Sequence, residues 1–406
     1  MVKRLFPPCY NFFSPRYWFG QIDSRPLAVF RVLLAALFIK DALFHLPLAL
    51  WFYSDAGLLP RTLLETLARA YRFSLMDALP TAGMATAFFV LYGLVNLLLL
   101  VGWRTRLMSV LSFVMLLSIH ERNVWVLSGA DTTMRVLSFW GMFLPLGDYY
   151  SLDALGRRWT GYGRTRRSDD LRVPEAPRTT FAFPLRLAQM QVGIIYVLTF
   201  VLKLPGDAWR SGDALHYALQ LQTLTLPTGD WLFLHAPAWL LRVGTFFALL
   251  VEGAFVPLVL LPIGQPYLRL SGLLLGVMLH VGIGVLMAIQ DFSLVMLISY
   301  LLLCDARWLA WLENKLRRAA TPLSIAQPTG DSPLWALLAV TRASEIAVSA
   351  PPDSETPSAA PYDAWRIYDQ HGVAHSGAAA WRLAAGVVPL SRLWGGLLRL
   401  RGLRWA

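Results

Sequence analysis

The chain has 406 residues, of which 56% are hydrophobic, 13% aromatic and 15% charged. A soluble domain usually carries about a quarter charged residues, so the composition excludes a water-soluble globular protein and predicts an all-α integral membrane protein. The formal net charge of +11 is then explained by basic cytoplasmic loops and by anionic membrane lipids as partners, and not by nucleic acid.

Eight windows of the chain are apolar enough for transmembrane helices, which need about 20 residues to cross ~30 Å of hydrocarbon. The third, fourth and eighth are short and require tilt or polar ends. The predicted spans are 26–46, 82–101, 107–120, 131–146, 183–203, 239–261, 267–289 and 292–304, the last running on toward 312.

The Lys and Arg residues at the ends of these spans and in the segments that flank them, up to position 318, are divided unevenly between the two sides of the membrane. One side carries 18 and the other carries five. Because cytoplasmic loops hold the excess of positive charge, both termini are predicted to be cytoplasmic, in agreement with an even number of spans. The most Arg-rich of the cytoplasmic segments is the loop 157–178.

The chain is predicted to have three parts. Residues 1–320 form a membrane domain, which includes amphipathic segments at the membrane interface. Residues 321–361 are rich in Ala, Ser and Pro and are predicted to be a disordered linker. Residues 362–406 are predicted to form a small basic segment with a short strand, a turn and a helix. Because the linker makes up much of it, the C-terminal tail as a whole is predicted to be largely disordered.

The first span contains three charged residues and a histidine. Arg31 lies near the cytoplasmic end and is expected to snorkel toward the membrane surface. Lys40 and Asp41 lie deeper, and are expected to neutralise one another or partners inside the bundle. His45 follows Asp41 by one helical turn.

Polar residues cluster around the loop between the third and fourth spans. His120 and Glu121 end one predicted helix, while Asp131 and Arg135, spaced i, i+4, begin the next and can pair along its side. Two interpretations stay open. The cluster is either a helix cap with a salt bridge or part of a site, because it is predicted to lie on the same side of the membrane as Lys203.

Lys203 ends the fifth span and is one of only four lysines in a chain with 32 arginines. Lysine differs from arginine chiefly because its neutral amine can act as a base when it is buried. Gln189, Tyr196 and Thr199 share its helix face, which is predicted to face protein or a water-accessible cavity. The alternative is a lysine that snorkels to the interface, with Trp209 at head-group depth in the turn that follows.

Two further polar residues lie inside later spans. Glu252, near the middle of the sixth span, is expected to be protonated or paired with Lys203, Lys40 or Arg135. His280 shares one face of the seventh span with three glycines spaced by four, a pattern that predicts close helix packing and an interhelical hydrogen bond. The spacings of His, Glu and Cys are not typical of a metal site.

Five stretches of the first 320 residues carry a resemblance to a known family. They are FYSDAGLLP, GWRTR, HERN with SGAD, FLPLGDYYSLD and QVGIIYVLTFVLKLPGDAWRSG. In these stretches the chain resembles the HTTM (horizontally transferred transmembrane) family, the membrane region shared by vitamin K-dependent gamma-carboxylases and many bacterial proteins, including sporulation-delaying toxin maturation proteins. The resemblance implies a multi-pass protein of the bacterial cytoplasmic (inner) membrane.

The resemblance also implies a lyase-type activity and a set of site residues. In the carboxylases a lysine in the context Lys-Leu-x-x-x-Trp is the base that deprotonates reduced vitamin K, and Lys203 matches it, with one residue inserted in KLPGDAW. The expected cofactor is reduced vitamin K or a related membrane quinol, without a metal. The candidate catalytic residues are Lys203, His280 and His120, and the candidate quinol-binding residues are Asp131, Arg135, Tyr196 and Trp209.

One part of the animal carboxylases has no counterpart between the predicted spans. The outer loops never exceed about 40 residues, so they are too short for the extracytoplasmic domain that holds the glutamate substrate. The hypothesis is therefore a quinol-dependent enzyme, carboxylase-like or epoxidase-like, whose secreted peptide or protein substrate is left open. The alternative is a non-enzymatic membrane factor that matures or exports a secreted peptide, or that binds lipid or quinone.

Overall fold

The apolar segments of the chain are helices in the computed structural model, as expected where a segment must satisfy its own backbone hydrogen bonds. The structure describes residues 13–67, 72–154, 156–157, 179–261, 264–309 and 311, and four short strands between 323 and 375. The chain divides into two compact units, Met1–Asp153 with Ala176–Ala306, and Ala154–Glu175 with Arg307–Ala406.

The described helices of the first unit are numbered here along the chain. They are α1 (Pro15–Phe19), α2 (Arg25–His45), α3 (Ala49–Tyr53), α4 (Arg61–Leu67), α5 (Ala82–Val101), α6 (Thr105–Arg122), α7 (Gly129–Gly141), α8 (Phe183–Lys203), α9 (Asp207–Ser211), α10 (Ala214–Ala218), α11 (Pro227–His235), α12 (Ala238–Leu260), α13 (Tyr267–Leu286) and α14 (Gln290–Ser299). Short 3-10 turns lie at Leu46–Leu48, Leu75–Ala78, Val124–Val126 and Tyr300–Leu302.

Four of these helices, α5, α8, α12 and α13, are long and apolar enough to cross a membrane. All eight predicted spans are helical over most of their length. The fourth ends early, at Gly141, because Pro145 cannot continue a helix and disfavours helical geometry in the residue before it. The eighth changes to 3-10 geometry at Tyr300.

Helices α8 and α12 pack side by side and run in opposite directions. A Cβ added at Gly193 would lie 3.3 Å from Val256, and one added at Gly253 would lie 3.0 Å from Phe200. Residue 193 of α8 thus lies near residue 256 of α12, and residue 200 near residue 253, as in an antiparallel helix pair. This arrangement places Lys203, at the end of α8, beside the middle of α12, where Glu252 lies.

The glycine-lined face of α13 forms the close helix packing that was predicted. At Gly272 an added Cβ would come within 2.9 Å of Leu258 on α12. At Gly284 it would lie 3.3 Å from Ser293 on α14. The prediction of a tight seam on this face is confirmed, and His280 lies inside it with only 2% of its surface exposed.

Arg31 is buried in the protein, and the prediction that it snorkels to the surface is wrong. Its guanidinium donates hydrogen bonds to the carbonyl oxygens of Leu146 at 2.8 Å and Tyr150 at 2.5 Å. These carbonyls belong to the stretch FLPLGDYYSLD, which lies against the first turns of α2. These backbone carbonyls take the place of water as hydrogen-bond acceptors for the guanidinium, so Arg31 stays inside the protein.

The stretch GWRTR meets the same loop. Gly102 has a φ of +75°, a left-handed conformation that ends α5. The carboxylate of Asp153 then accepts hydrogen bonds from the backbone nitrogens of Arg104 and Thr105, at 2.8 and 2.7 Å, and so holds the start of α6. Two of the stretches that carry the family resemblance are thus joined at one end of the helices.

A short antiparallel strand pair joins two distant parts of the first unit. Strand β1 (Gln21–Asp23) pairs with β2 (Thr179–Phe181), directly before α8. Arg186 donates to the carbonyl oxygen of Tyr17 at 2.9 Å and lies 4.0 Å from its ring centroid. These contacts anchor the beginning of α8 to the N-terminal segment.

The described residues of the second unit form a small sheet. Its strands are β3 (Leu323–Ile325), β4 (Ile346–Val348), β5 (Ile367–Tyr368) and β6 (Ala374–His375), in the order β4-β3-β5-β6. Strands β3 and β4 are parallel and the other pairs are antiparallel. Two strands therefore fall within the predicted linker 321–361. The remainder of that linker, the predicted C-terminal helix and the loop 158–178 lie outside the described residues.

Candidate functional site

The polar face of α8 points into the protein, as the spacing of its residues predicted. Gln189 and Tyr196 are each only 2% exposed. Gln189 accepts a hydrogen bond from Arg186 at 2.8 Å and donates to the carbonyl oxygen of Leu302 at 2.6 Å. The stripe is therefore satisfied by protein groups along its length, and it ends at Lys203.

Lys203 forms a two-point ion pair with Glu252. Its Nζ donates to Oε1 at 2.5 Å and to Oε2 at 2.7 Å. The expectation that Glu252 pairs with a cation is confirmed, and of the three cations considered the partner is Lys203. The two side chains keep 22% and 11% of their surface exposed, so the pair is partly buried and can be reached from outside the helix bundle.

Trp209 completes this end of α8. The chain turns at Pro205 and Gly206 and returns as α9, which places the Trp209 ring with its centroid 5.0 Å from Lys203 Nζ. A Cβ at Gly206 would lie 3.1 Å from the Trp209 ring, so a glycine is what allows the ring to fold back. The ammonium group thus has a carboxylate on one side and an aromatic ring on another.

Deeper along the same helices, three side chains share a chain of hydrogen bonds. The Tyr196 hydroxyl lies 2.8 Å from His280 Nε2 and also bonds the Tyr300 hydroxyl. Phe255 of α12 stacks on Tyr196, with ring centroids 3.8 Å apart, and on Tyr300 at 5.5 Å. The hydroxyl of Tyr196 is thus fully engaged, and packing holds both tyrosine rings in place.

The Lys203–Glu252 pair and the Tyr196–His280–Tyr300 chain occupy neighbouring levels of one packed region. Glu252 precedes Phe255 by about one turn of α12, and Thr199 lies between Tyr196 and Lys203 on α8. Thr199 donates back to the carbonyl oxygen of Tyr196 at 3.0 Å. We call these five side chains, Tyr196, Lys203, Glu252, His280 and Tyr300, the α8 site.

His120, Asp131 and Arg135 form a second group, at the junction of α6 and α7. Arg135 donates from Nε to His120 Nδ1 at 3.3 Å and pairs through Nη1 with Glu121 at 2.8 Å. The predicted Asp131–Arg135 pair is therefore wrong, because Glu121 reaches Arg135 from the preceding helix.

Asp131 caps α7 instead. Its Oδ2 accepts from the backbone nitrogen of Ser128 at 2.6 Å in a capping box, which confirms the cap interpretation of this residue. Its Oδ1 lies 3.7 Å from His120 Nε2. With Arg135 donating to Nδ1, the ring of His120 carries its proton on Nε2, directed at Asp131. Both ring nitrogens are engaged, so in this arrangement His120 has no free lone pair with which to act as a base.

The stretches FYSDAGLLP and HERN meet beside this group. Arg122 donates to the carbonyl oxygen of Leu59 at 2.9 Å and lies 3.5 Å from Asp55. Asp55 also receives the Arg61 side chain at 2.8 Å. Asp55 Oδ1 also accepts a hydrogen bond from the backbone nitrogen of Arg61 at 3.1 Å, at the start of α4.

The charged residues of α2 are divided between two partners. Lys40 pairs with Asp291 at the start of α14, and Asp41 Oδ1 lies 3.1 Å from His45 Nδ1. Lys40 and Asp41 therefore do not neutralise one another, since consecutive residues point to different faces of a helix.

Four of the seven candidate residues come together and three do not. Tyr196, Lys203 and His280 belong to the α8 site, and Trp209 contacts it. No hydrogen bond or ion pair among the described residues joins His120, Asp131 or Arg135 to Lys203. The two groups are connected only through packing, because Phe292 lies against the ring of His280 and 3.7 Å from a Cβ added at Gly129.

No local pattern in the sequence points to Tyr300, which the fold brings to Tyr196 from 104 positions further along the chain. Among the described residues, no group of three or more His, Cys, Asp or Glu side chains is arranged to hold a metal ion.

Comparison of the chain with protein-family models, with curated proteins and with solved structures gave no match.

Proposed function

We propose that this chain is an HTTM-family protein of the bacterial cytoplasmic membrane, with eight spans and both termini in the cytoplasm, and that its Lys203–Glu252 pair takes a proton from a membrane quinol. The observation that carries the proposal is the pair itself. A lysine and a carboxylate are bonded at two points, at the end of an apolar helix, and remain partly exposed.

The residues around the pair are suited to a flat, apolar molecule with a hydroxyl group. Next to Lys203 on the outer face of α8, Val201, Leu202 and Leu204 are exposed, so a membrane-soluble ring has an apolar approach to Nζ. Trp209 adds an aromatic ring at the same level, with its centroid 5.0 Å from Nζ. When bound, a reduced quinone supplies a weakly acidic hydroxyl to this site. Tyr196 is stacked and hydrogen-bonded within the protein, so we assign it to the site wall and not to contact with the ring.

The pair explains how a lysine at this place can act as a base. With Nζ bonded to both carboxylate oxygens, one proton can move from the ammonium group to Glu252, which leaves an amine and a carboxylic acid. Both forms of the pair are neutral overall, so neither places a net charge in the apolar surroundings. The amine form presents a lone pair that can accept the hydroxyl proton.

The proposal is tested with the purified full chain, reduced naphthoquinone and oxygen, with formation of the quinone epoxide as the measured product. We expect epoxide from the unaltered protein and none above background from Lys203→Ala. Lys40→Ala is the matched control, because Lys40 also forms a lysine–carboxylate pair but lies outside the α8 site; it should retain activity. No epoxide from the unaltered protein with several quinols would refute the proposed reaction.

A second candidate function is a non-enzymatic membrane factor for maturation or export of a secreted peptide, or for lipid or quinone binding. The observation that favours it is that Lys203 and Glu252 bond one another at two points, as a structural ion pair does. Under this alternative, Lys203→Ala lowers stability, but the maturation phenotype persists without any quinol. Loss of that phenotype in a stably folded Lys203→Ala protein would exclude it.

A further inference from the structure

Two hydrogen bonds join Tyr196, His280 and Tyr300, and one nitrogen of the histidine ring takes part in neither of them. Tyr196 is the central group, bonded to His280 Nε2 at 2.8 Å on one side and to the Tyr300 hydroxyl on the other. The remaining nitrogen, His280 Nδ1, is buried and has no hydrogen-bond partner among the described residues.

This chain can be hydrogen-bonded in two directions. In one, Tyr300 donates to Tyr196, Tyr196 donates to Nε2, and the ring proton of His280 is on Nδ1. In the other, Nε2 donates to Tyr196, Tyr196 donates to Tyr300, and Nδ1 carries a lone pair. Each direction satisfies the same two hydrogen bonds, so the two differ only in where the protons lie.

Packing fixes the three groups in the geometry that such an exchange requires. Tyr300 reaches Tyr196 only because α13 has a glycine at position 276, where an added Cβ would lie 2.3 Å from the Tyr300 oxygen. Phe255 stacks on both tyrosine rings, and Phe292 lies against His280.

We infer that Tyr196, His280 and Tyr300 form a proton relay inside the membrane domain, with Tyr300 as its previously unassigned end. A proton given to Nδ1 by a hydronium ion displaces the Nε2 proton to the Tyr196 oxygen, the Tyr196 proton moves to Tyr300, and the Tyr300 hydroxyl proton passes to a water molecule. Three O–H or N–H bonds break as three form, so the relay itself is unchanged except in direction.

The inference rests on the proposed function, because a Lys203–Glu252 pair that accepts protons must also release them. Lys203 and Glu252 are the charged groups near the chain from α8 and α12. Asp291, at the start of α14, is engaged with Lys40. The relay therefore lies next to the Lys203–Glu252 ion pair of the α8 site.

Infrared difference spectroscopy of the full chain tests the relay without any catalytic activity. The protein is labelled with 13C-ring tyrosine, and difference spectra are recorded as the pH is stepped. The relay predicts that tyrosine bands change together with imidazole bands, that His280→Gln removes both changes, and that Tyr300→Phe removes part of the tyrosine signal. Tyr267→Phe is the control for Tyr300→Phe, since Tyr267, the first residue of α13, is 78% exposed. Tyrosine bands that are identical in His280→Gln and in the unaltered protein would overturn the relay.

A second arm uses turnover, where the unaltered protein shows quinol-dependent activity. Tyr300→Phe should lower the rate on the order of tenfold, less than the 10²–10⁴ of a direct acid–base group, and should enlarge the solvent deuterium isotope effect without changing KM for the quinol. An unchanged rate and isotope effect would contradict the relay. If the unaltered protein is inactive with quinols, the proposed function fails, while the infrared arm still decides whether the relay exists.

Discussion

Lys203 Nζ donates hydrogen bonds to both carboxylate oxygens of Glu252, at 2.5 and 2.7 Å, and thereby joins the end of α8 to α12. Because the pair is only partly buried, it can serve as a reactive group and as a helix connection at once. The two roles respond differently to substitution.

The structural role predicts that losing one partner is worse than losing both. Lys203→Met or Glu252→Leu alone leaves a charge without its partner in a partly apolar place, and each should destabilise the protein by about 1–3 kcal/mol, below the ~3–5 kcal/mol for fully buried pairs. The double variant should recover most of this loss. Thermal unfolding in detergent measures all three, and simple additivity of the two single losses would contradict a coupled pair.

The contact at Gly276 predicts that alanine substitutions at two glycines of α13 have different effects on the stability of the protein. Gly276→Ala places a methyl group against the Tyr300 hydroxyl, and should destabilise the protein by about 1–3 kcal/mol through overpacking. Gly282→Ala is the matched control, because no atom lies within 4 Å of its added Cβ, and it should be neutral or stabilising by up to ~1 kcal/mol. Equal melting temperatures for the two variants would show that Tyr300 does not occupy this position.

The ion pairs of Asp55 with Arg61 and Arg122 predict an acid-dependent loss of stability. The hydrogen bond from Arg61 holds the pKa of the Asp55 carboxyl below its usual range. A carboxyl whose pKa is lowered on folding contributes stability above its unfolded pKa of about 3.9, and loses that contribution as the pH falls through the folded value. The melting temperature of Asp55→Asn should therefore lie below that of the unaltered protein at pH 7, and the two should converge below about pH 4. A difference that persists unchanged at low pH would contradict this account.

The proposed topology is tested by labelling single cysteines in intact cells. Position 207 is predicted to react with a membrane-impermeant reagent from outside, since the Asp207 side chain is 94% exposed at the Lys203 end of α8. Position 166, in the Arg-rich loop, is predicted to react only after the membrane is opened. The reverse pattern would place Lys203 on the cytoplasmic side.

Patterns along single helices could be predicted from the sequence, and contacts between distant helices could not. The span 183–203 and its polar stripe follow from hydropathy and helical spacing, and the structure has a helix with these bounds. The glycine seam around His280 follows from spacing in the same way. By contrast, Tyr300 and Phe255 join the α8 site only through packing, for which neither residue carries a local signal.

The wrong predictions have the same origin. Arg31 was expected at the membrane surface because its position near the end of an apolar segment was known, but the carbonyl groups that the loop after α7 folds around it were not. Asp131 and Arg135 have the spacing of an ion pair within one helix, but Arg135 pairs instead with Glu121 at the end of α6.

The most direct test of the central claim, that Lys203 acts as a base, is the quinol-dependent activity of Lys203→Arg. Arginine can keep the ion pair with Glu252, but it does not deprotonate in proteins and so cannot provide a neutral amine. We predict a melting temperature close to that of the unaltered protein and a fall in epoxide formation of at least about 10²-fold. An arginine variant that retains full activity would show that the charge of residue 203, and not its basicity, is what the protein uses.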